Sequence, residues 1–199
     1  MATVNASQGV YANANATVGL TYKTDKITFF NRFTYSKYVE AYTDQDDRQI
    51  KLSNYTQELK DTTNRIYHNN SYSFQSGIDY QISKNQVLGL LVNGRFNHTP
   101  ATIQSTTVFG KQNASPDSAL STPSVFRNNG STLNYNINYS LSIDSRKGSL
   151  SSILTYTPYY RNIFQSFSPQ LDNYIDSENE PLSPYTNSND THVNILIAR

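Results

Sequence analysis

Alternation of apolar and polar residues is the dominant pattern of this chain, and it is clearest between Leu133 and Ile143. In this segment every odd position is large and apolar or aromatic, and every even position is Asn or Ser. Because successive side chains of a strand point to opposite faces, the pattern predicts a strand with one apolar and one hydrated face. A tilted strand crosses a bilayer with about ten residues. We therefore expect a transmembrane β-strand with lipid on one side and water on the other.

The same alternation recurs in five further segments, with a few exceptions. Phe30 and Asn31 break it in one segment, Ser76 weakens an apolar face, and Leu91 lies on an otherwise polar face. A single alternating strand is typical of any half-buried sheet, whereas six of them indicate a repeated architecture. We predict an all-β fold: an antiparallel up-and-down meander that forms part of a transmembrane outer-membrane β-barrel. The predicted strands are Ala2–Ala6, Tyr11–Tyr22, Ile27–Thr43, Ile66–Ile82, Val87–His98, Asn128–Ile143, Ser149–Ile163 and Thr191–Arg199.

The connections between these strands differ in length. Three junctions are short and turn-like, namely Lys23–Lys26, Ser83–Gln86 and Ser145–Gly148. Three others are long and polar, namely Asp44–Asn64, Pro100–Arg127 and Gln165–Asp190. Outer-membrane barrels have short periplasmic turns and longer extracellular loops, so we assign the two sets to these two sides. Residues 1–199 are expected to form a single partial β-barrel domain of about eight strands.

Composition is consistent with a barrel and excludes several other classes. Hydrophobic residues make up only 36% of the chain, yet 13% are aromatic, with 16 Tyr, 9 Phe and no Trp. A barrel with a hydrated lumen combines low mean hydropathy with strong alternation, and Tyr suits the two membrane interfaces. No segment has the apolar length of a transmembrane helix. The net charge of +1 without a basic stripe argues against a nucleic-acid partner, and the absence of Cys excludes disulfides.

Both ends of the sequence lead us to expect a longer parent protein. The first residues lack the basic start and apolar segment of a signal peptide, although an outer-membrane protein must be exported. The last residues, from His192 onward, begin another alternating strand and stop inside it. We therefore expect a piece, truncated at both ends and without a plug domain, of a protein of the bacterial outer membrane.

Two segments resemble a known family of outer-membrane proteins. Asn5–Lys23 is similar to the first barrel hairpin after the plug domain of TonB-dependent receptor-like proteins, and Gly77–Gly89 resembles a recurring strand-turn-strand of the β-barrel family related to those receptors. The resemblance implies a large barrel, a plug that fills its lumen, and uptake of bulky ligands driven by the TonB energising complex. Because no plug and no coupling box are visible here, it implies transport for the parent protein. The implied partners are outer-membrane lipid, the plug, the remaining strands, the energising complex and an unknown ligand.

Arg32 and Arg95 are the candidate ligand- or plug-facing residues, together with Asp79. All three fall on predicted polar faces, so their side chains should point into the lumen. There the guanidinium groups can bind carboxylates of a plug or of an anionic ligand. The alternative is a structural role, in which the arginines form ion pairs with lumen neighbours such as Asp79 or Asp144.

No other group of residues predicts chemistry, so we expect neither enzymatic activity nor a cofactor. His68, His98 and His192 are far apart near predicted loop bases and are interpreted as solvated histidines, not metal ligands. The acidic run at residues 44–47 resembles a calcium loop but lacks its glycine and its closing Glu. No Ser lies in a Gly-x-Ser-x-Gly elbow. Two further functions remain open: a non-transporting surface barrel, such as an adhesin or scaffold, and a secreted soluble β-sandwich that binds glycans through exposed Tyr.

Overall fold

A computed structural model describes residues 2–8, 11–143, 148–176 and 178–199. The described residues form ten β-strands and no helix, and thus contain no helix long and apolar enough to cross a membrane. The strands are β1 (Ala2–Gln8), β2 (Ala12–Lys23), β3 (Ile27–Lys51), β4 (Thr56–Ser83), β5 (Gln86–Lys111), β6 (Pro116–Ser142), β7 (Ser149–Phe167), β8 (Gln170–Asn173), β9 (Glu178–Pro181) and β10 (Tyr185–Ala198).

The strands form one sheet whose spatial order follows the chain from β1 to β7, with β10 beside β7. All neighbouring pairs are antiparallel. β8 pairs with β6 next to the segment of β6 that pairs with β7, and β9 pairs with β8. Within the described residues β1 and β10 do not pair with each other, so the sheet is open at both edges. The all-β, up-and-down meander is therefore confirmed, whereas its location in a membrane stays a prediction.

The register joins the alternating segments into one continuous apolar surface. Direct partners in an antiparallel pair share a face, and Leu90 lies opposite both Ile78 and Ile137. We call this apolar side the outer face and the opposite side the inner face. The outer face is uncovered, since Leu20 and Tyr22 are each 61% exposed. From β2 to β7 the outer face carries Val18, Leu20, Tyr22, Phe29, Phe33, Tyr35, Tyr72, Phe74, Ile78, Tyr80, Leu88, Leu90, Val92, Phe96, Leu133, Tyr135, Ile137, Tyr139, Leu141, Leu150, Leu154 and Tyr156.

The sheet has almost no core of its own. Among the described residues only Ala101 and Ala119 are buried hydrophobic residues, at 4% and 2% exposure. Apolar burial is the main favourable term in the folding of a soluble domain. A single layer with exposed faces lacks that term, so its outer face requires lipid or another apolar cover.

The exceptions to the alternation lie close together where β3, β4 and β5 pair. On the outer face Asn31 lies opposite Ser76, which gives a polar pair inside the apolar surface. On the inner face Gly77 lies between Phe30 and Leu91. A Cβ atom at Gly77 would collide with the Phe30 ring, so this ring lies across the glycine. Asn31 and Ser76 are therefore direct partners, whereas Phe30 and Leu91 lie on the two sides of one glycine.

The three predicted long loops are wrong, because most of their residues continue the strands. β3 and β4 stay paired as far as Lys51 and Thr56, inside the predicted loop Asp44–Asn64. In the same way the predicted loop Pro100–Arg127 is largely the hairpin of β5 and β6, and Gln165–Asp190 contains β8 and β9. Thr, Val, Ile and Tyr favour strands even where both faces carry polar residues. The first two segments therefore extend the predicted strands, whereas β8 and β9 in the third raise the strand count from about eight to ten.

The short turns agree with the prediction where the structure describes them. Residues 24–26 connect β2 to β3, and residues 84–85 connect β4 to β5. The first turn is closed by a hydrogen bond from Thr24 N to Ile27 O of 2.8 Å. In the third predicted turn, Ser145–Gly148, residues 145–147 lie outside the described residues. The connections at the opposite end of the sheet, at residues 52–55 and 112–115, are short as well. Connection length therefore does not distinguish the two ends of these strands.

We predict that Gly94→Val destabilises the sheet by about 1–3 kcal/mol, because a larger side chain overpacks the site. A Cβ atom at Gly94 would lie 2.5 Å from Phe74 and 2.6 Å from Leu133, its partners on the two neighbouring strands. Urea unfolding followed by circular dichroism, in whatever medium gives the wild type its β spectrum, measures the change. Adding Phe74→Ala should recover part of the loss. Equal midpoints for wild type and Gly94→Val would contradict this packing.

Candidate functional site

Arg32 and Arg95 line one groove on the inner face. Arg32 lies opposite Gln75, and Arg95 lies opposite Ser73, so the two arginines flank β4 in successive rows of partners. Their strands are two strand spacings apart, about 10 Å, which two extended guanidinium side chains can bridge toward a common ligand. The groove has a volume of about 360 Å³. Its other polar lining residues are Thr34, Ser73, Gln75, Asn93 and Thr132.

The groove is positively charged. Arg95 Nε donates hydrogen bonds to Asn97 Oδ1 at 2.9 Å and to Ser71 Oγ at 3.2 Å, which orient the guanidinium along the inner face. In the described part of the chain neither Arg32 nor Arg95 has a carboxylate within ion-pair distance. Their charges are therefore available to a ligand or to a further segment of protein.

Asp79 shares the inner face but lies outside this groove. It is opposite Thr28 on β3 and Gly89 on β5, four positions along β4 from Gln75. A Cβ atom at Gly89 would lie 2.7 Å from Asp79 Oδ1 and 2.1 Å from Asn138 Oδ1, so both side chains lean over the glycine. The structure thus brings together the two arginines and separates them from Asp79. The other suggested ion-pair partner, Asp144, lies outside the described residues.

Sequence reasoning missed a second set of inner-face residues, on the strand extensions beyond Ser36 and Ser71. Tyr42, Tyr67 and Phe126 form a chain of rings there, with centroid distances of 6.1 and 6.0 Å. Partial burial and the neighbouring Glu40 carboxylate raise the pKa of Tyr42 above that of a free tyrosine. One signal in the sequence could have revealed these residues. In the predicted loop apolar Ile103 lies between polar Thr102 and Gln104, so the alternation continues with the apolar residue on the inner face instead of the outer face.

The histidines and the acidic run form no metal site among the residues that the structure describes. The imidazole of His98 shares a 2.6 Å hydrogen bond with Asn129 Oδ1, and the ring of His192 packs on Tyr160 at 4.7 Å. His68 lies in β4, so all three histidines are within strands and not at loop bases. In the acidic run, Asp44 forms an ion pair with Arg65.

No protein-family model and no curated protein matches this chain. The proposed relation to TonB-dependent receptors therefore rests on the resemblance of Asn5–Lys23 and Gly77–Gly89 alone.

Double-mutant cycles can test whether Arg95 forms an ion pair with Asp79, because they measure the coupling energy between two side chains. We predict a coupling energy near zero between Arg95→Met and Asp79→Asn, because the two charges lie apart on the exposed inner face. The matched cycle of Arg65→Met with Asp44→Asn should give about 0.3–1 kcal/mol, the usual range of a partly exposed ion pair. Urea unfolding of the four single and two double variants supplies both values. A coupling for Arg95 and Asp79 as large as that of the matched pair would show that Arg95 serves only structure.

Proposed function

We propose that the chain is a wall segment of an outer-membrane β-barrel receptor or transporter, with lipid against its outer face and the lumen on its inner face. One observation carries the proposal, namely that the apolar outer face is continuous across the strands and has the height of a membrane belt. The resemblance to TonB-dependent receptors suggests ligand uptake as the role of the parent protein. Its partners would be outer-membrane lipid, a plug, the remaining strands and the TonB energising complex.

The height of the belt follows from the register. Along β6 the outer face runs from Ser131, whose partners are Phe96 and Tyr160, to Leu141, whose partner on β7 is Leu150. Ten residues of a strand span about 33 Å. At the tilt of strands in membrane barrels this length corresponds to about 25 Å along the membrane normal, which is the height of the apolar band of such barrels.

The upper edge of the belt has the character of a membrane interface. Tyr35 and Tyr72 are direct partners with ring centroids 5.0 Å apart, and Phe96 continues their row on β5. Aromatic residues are enriched where hydrocarbon meets headgroups. The next row of the outer face is polar, with Asn70 opposite both Lys37 and His98. An aromatic row followed by a polar row supports an interface at this level.

Within the height of the belt, the inner face suits a hydrated lumen. Asn134 Nδ2 donates to Thr157 Oγ1 at 2.9 Å, and Thr155 Oγ1 donates to Asn136 Oδ1 at 2.6 Å. These side chains remain compatible with water on that side. The groove of Arg32 and Arg95 adds two cations to this surface, which fit carboxylates of a plug or of an anionic ligand.

A non-transporting surface barrel would have the same wall, and a plug with a coupling box in the parent gene would distinguish the two. The soluble β-sandwich requires a second sheet to cover the apolar face. The described residues form a single sheet, which provides no such layer. The membrane barrel is therefore the function that the geometry supports best.

Fluorescence quenching by lipid tests the proposal directly, because the chain has no Cys and accepts single labels. Ile137→Cys places a label on the outer face at mid-belt, Asn138→Cys places one on the inner face, and Thr102→Cys places one on the outer face above the belt. In vesicles that contain lipids brominated on the acyl chain, we expect strong quenching at position 137 alone. Equal quenching at positions 137 and 138, or none at either, would refute a lipid-facing outer surface.

A charge should also be tolerated on one face and not on the other. Ile137→Arg places a cation near mid-belt against lipid, which costs about 2–4 kcal/mol in a membrane barrel. Asn138→Arg places the same side chain on the inner face beside Asp79, so we expect a change below about 0.5 kcal/mol, as for an ordinary surface substitution. Unfolding in lipid vesicles measures both. Similar losses for the two variants would contradict the assignment of faces.

A further inference from the structure

The two faces exchange their character above the belt. On the strand extensions the outer face becomes polar, with Asn64 opposite Gln104 and Thr62 opposite Thr106. The inner face, hydrated lower down, becomes aromatic there. A polar outer surface needs no cover in water, whereas exposed rings on the opposite face indicate a surface that binds something.

The rings form the walls of a groove on this inner face. Tyr67 and Phe126 meet edge to face at 6.0 Å and 83°, one on each side of Ala101 in the row of partners. The small Ala101, only 4% exposed, leaves room for both rings. Farther along, the ring of Phe167 stacks on that of Tyr185 at 4.4 Å. The groove therefore has flat apolar walls held in place by neighbouring rings.

The floor of the groove is a set of fixed hydroxyl groups. Thr63 and Ser124 are buried polar residues, at 7% and 4% exposure. Thr63 Oγ1 donates to Ser105 Oγ at 3.0 Å, and Gln165 Nε2 donates to Ser124 Oγ at 3.1 Å. A hydroxyl keeps further acceptor capacity after one hydrogen bond. The floor thus offers oriented hydrogen-bonding groups between aromatic walls.

The described lining of this groove holds no free cation, and the nearby Asp61 carboxylate accepts a hydrogen bond from Ser105 Oγ at 3.2 Å. Arg65 is the one charged residue among its described lining residues, and it forms an ion pair with Asp44. An anion would have to compete with that carboxylate, in contrast to the groove of Arg32 and Arg95. A purely apolar ligand would cover the half-buried polar side chains of Ser105, Thr122 and Gln165 without replacing their contact with water, which costs free energy.

We propose that this groove binds a neutral saccharide. A sugar ring presents an apolar C–H face that can stack on Tyr67, Phe126 or Phe167, and its edge carries hydroxyls that match the amide and hydroxyl groups of the floor. The volume of about 360 Å³ falls in the range of small-molecule sites. The site lies above the belt and is separate from the groove of Arg32 and Arg95. It goes beyond the proposed function and does not depend on lipid at the outer face.

Saturation-transfer NMR with the full chain tests this proposal, in detergent or in buffer according to which gives the wild-type β spectrum. The probes are maltohexaose, cellohexaose, xylohexaose and mannohexaose, with trigalacturonic acid as an anionic comparison. We expect transfer to at least one neutral hexaose. Phe126→Ala and Phe167→Ala should each weaken its binding by about tenfold, because each removes a stacking surface.

Phe164→Ala is the matched control, because Phe164 belongs to the same strand but its partner Arg127 is on the outer face. Its affinity should equal that of the wild type, and all three variants must retain the β spectrum. No transfer to any neutral hexaose would overturn the proposal. Equal losses for Phe164→Ala and Phe167→Ala would do the same, as would binding of trigalacturonic acid alone with dependence on Arg65. Quenching by brominated lipid is independent of all these results, so the membrane proposal and this one can fail separately.

Discussion

The register of the hydrogen-bond ladder is the constraint on which every other property of this sheet depends. Because the side-chain period of a strand is two, a slip of one residue would move a whole strand's apolar set to the other face. Instead, partners such as Ile78, Leu90 and Ile137 align across neighbouring strands and separate lipid-like from water-like surfaces. Between neighbouring strands the backbone polar groups pair in the ladder, as a structure placed in a bilayer requires, and the open edges at β1 and β10 need further partners for the same reason. Neither groove would exist without this alignment.

The two halves of the long strands use the same ladder with opposite surface chemistry. In the half near the turns at residues 24–26 and 84–85, the inner face carries Arg32 and Arg95 and the outer face is apolar. In the other half, the inner face carries Tyr67 and Phe126, and the outer face carries residues such as Gln104. The proposed membrane location accounts for this reversal, because it places hydrocarbon against the outside of one half and water against the outside of the other. The polar groove and the aromatic groove then lie at successive depths along one inner surface.

The sequence was sufficient for the strands that obey one simple alternation, and insufficient where the alternation reversed. The segment from Leu133 to Ile143 and the turn at residues 84–85 were found because both patterns are local. The sequence predicts a loop at residues 56–64, which is wrong because polar side chains on both faces conceal a strand whose stability comes from its partners. That Arg32 and Arg95 share the inner face followed from parity alone, since both lie on polar faces. Their separation from Asp79 did not, because offsets between strands are fixed by pairing and not by any local signal.

The glycines at positions 77 and 89 have a consequence for the shape of the wall. Bending a sheet into a tube crowds the side chains on its concave surface and spreads those on its convex surface. Gly77 receives the ring of Phe30, and Gly89 lies beneath Asp79 and Asn138, all on the inner face. These hollows remove bulk from the surface that closure would compress. In the proposed barrel, these two absent side chains would therefore help to set the radius to which the sheet curves.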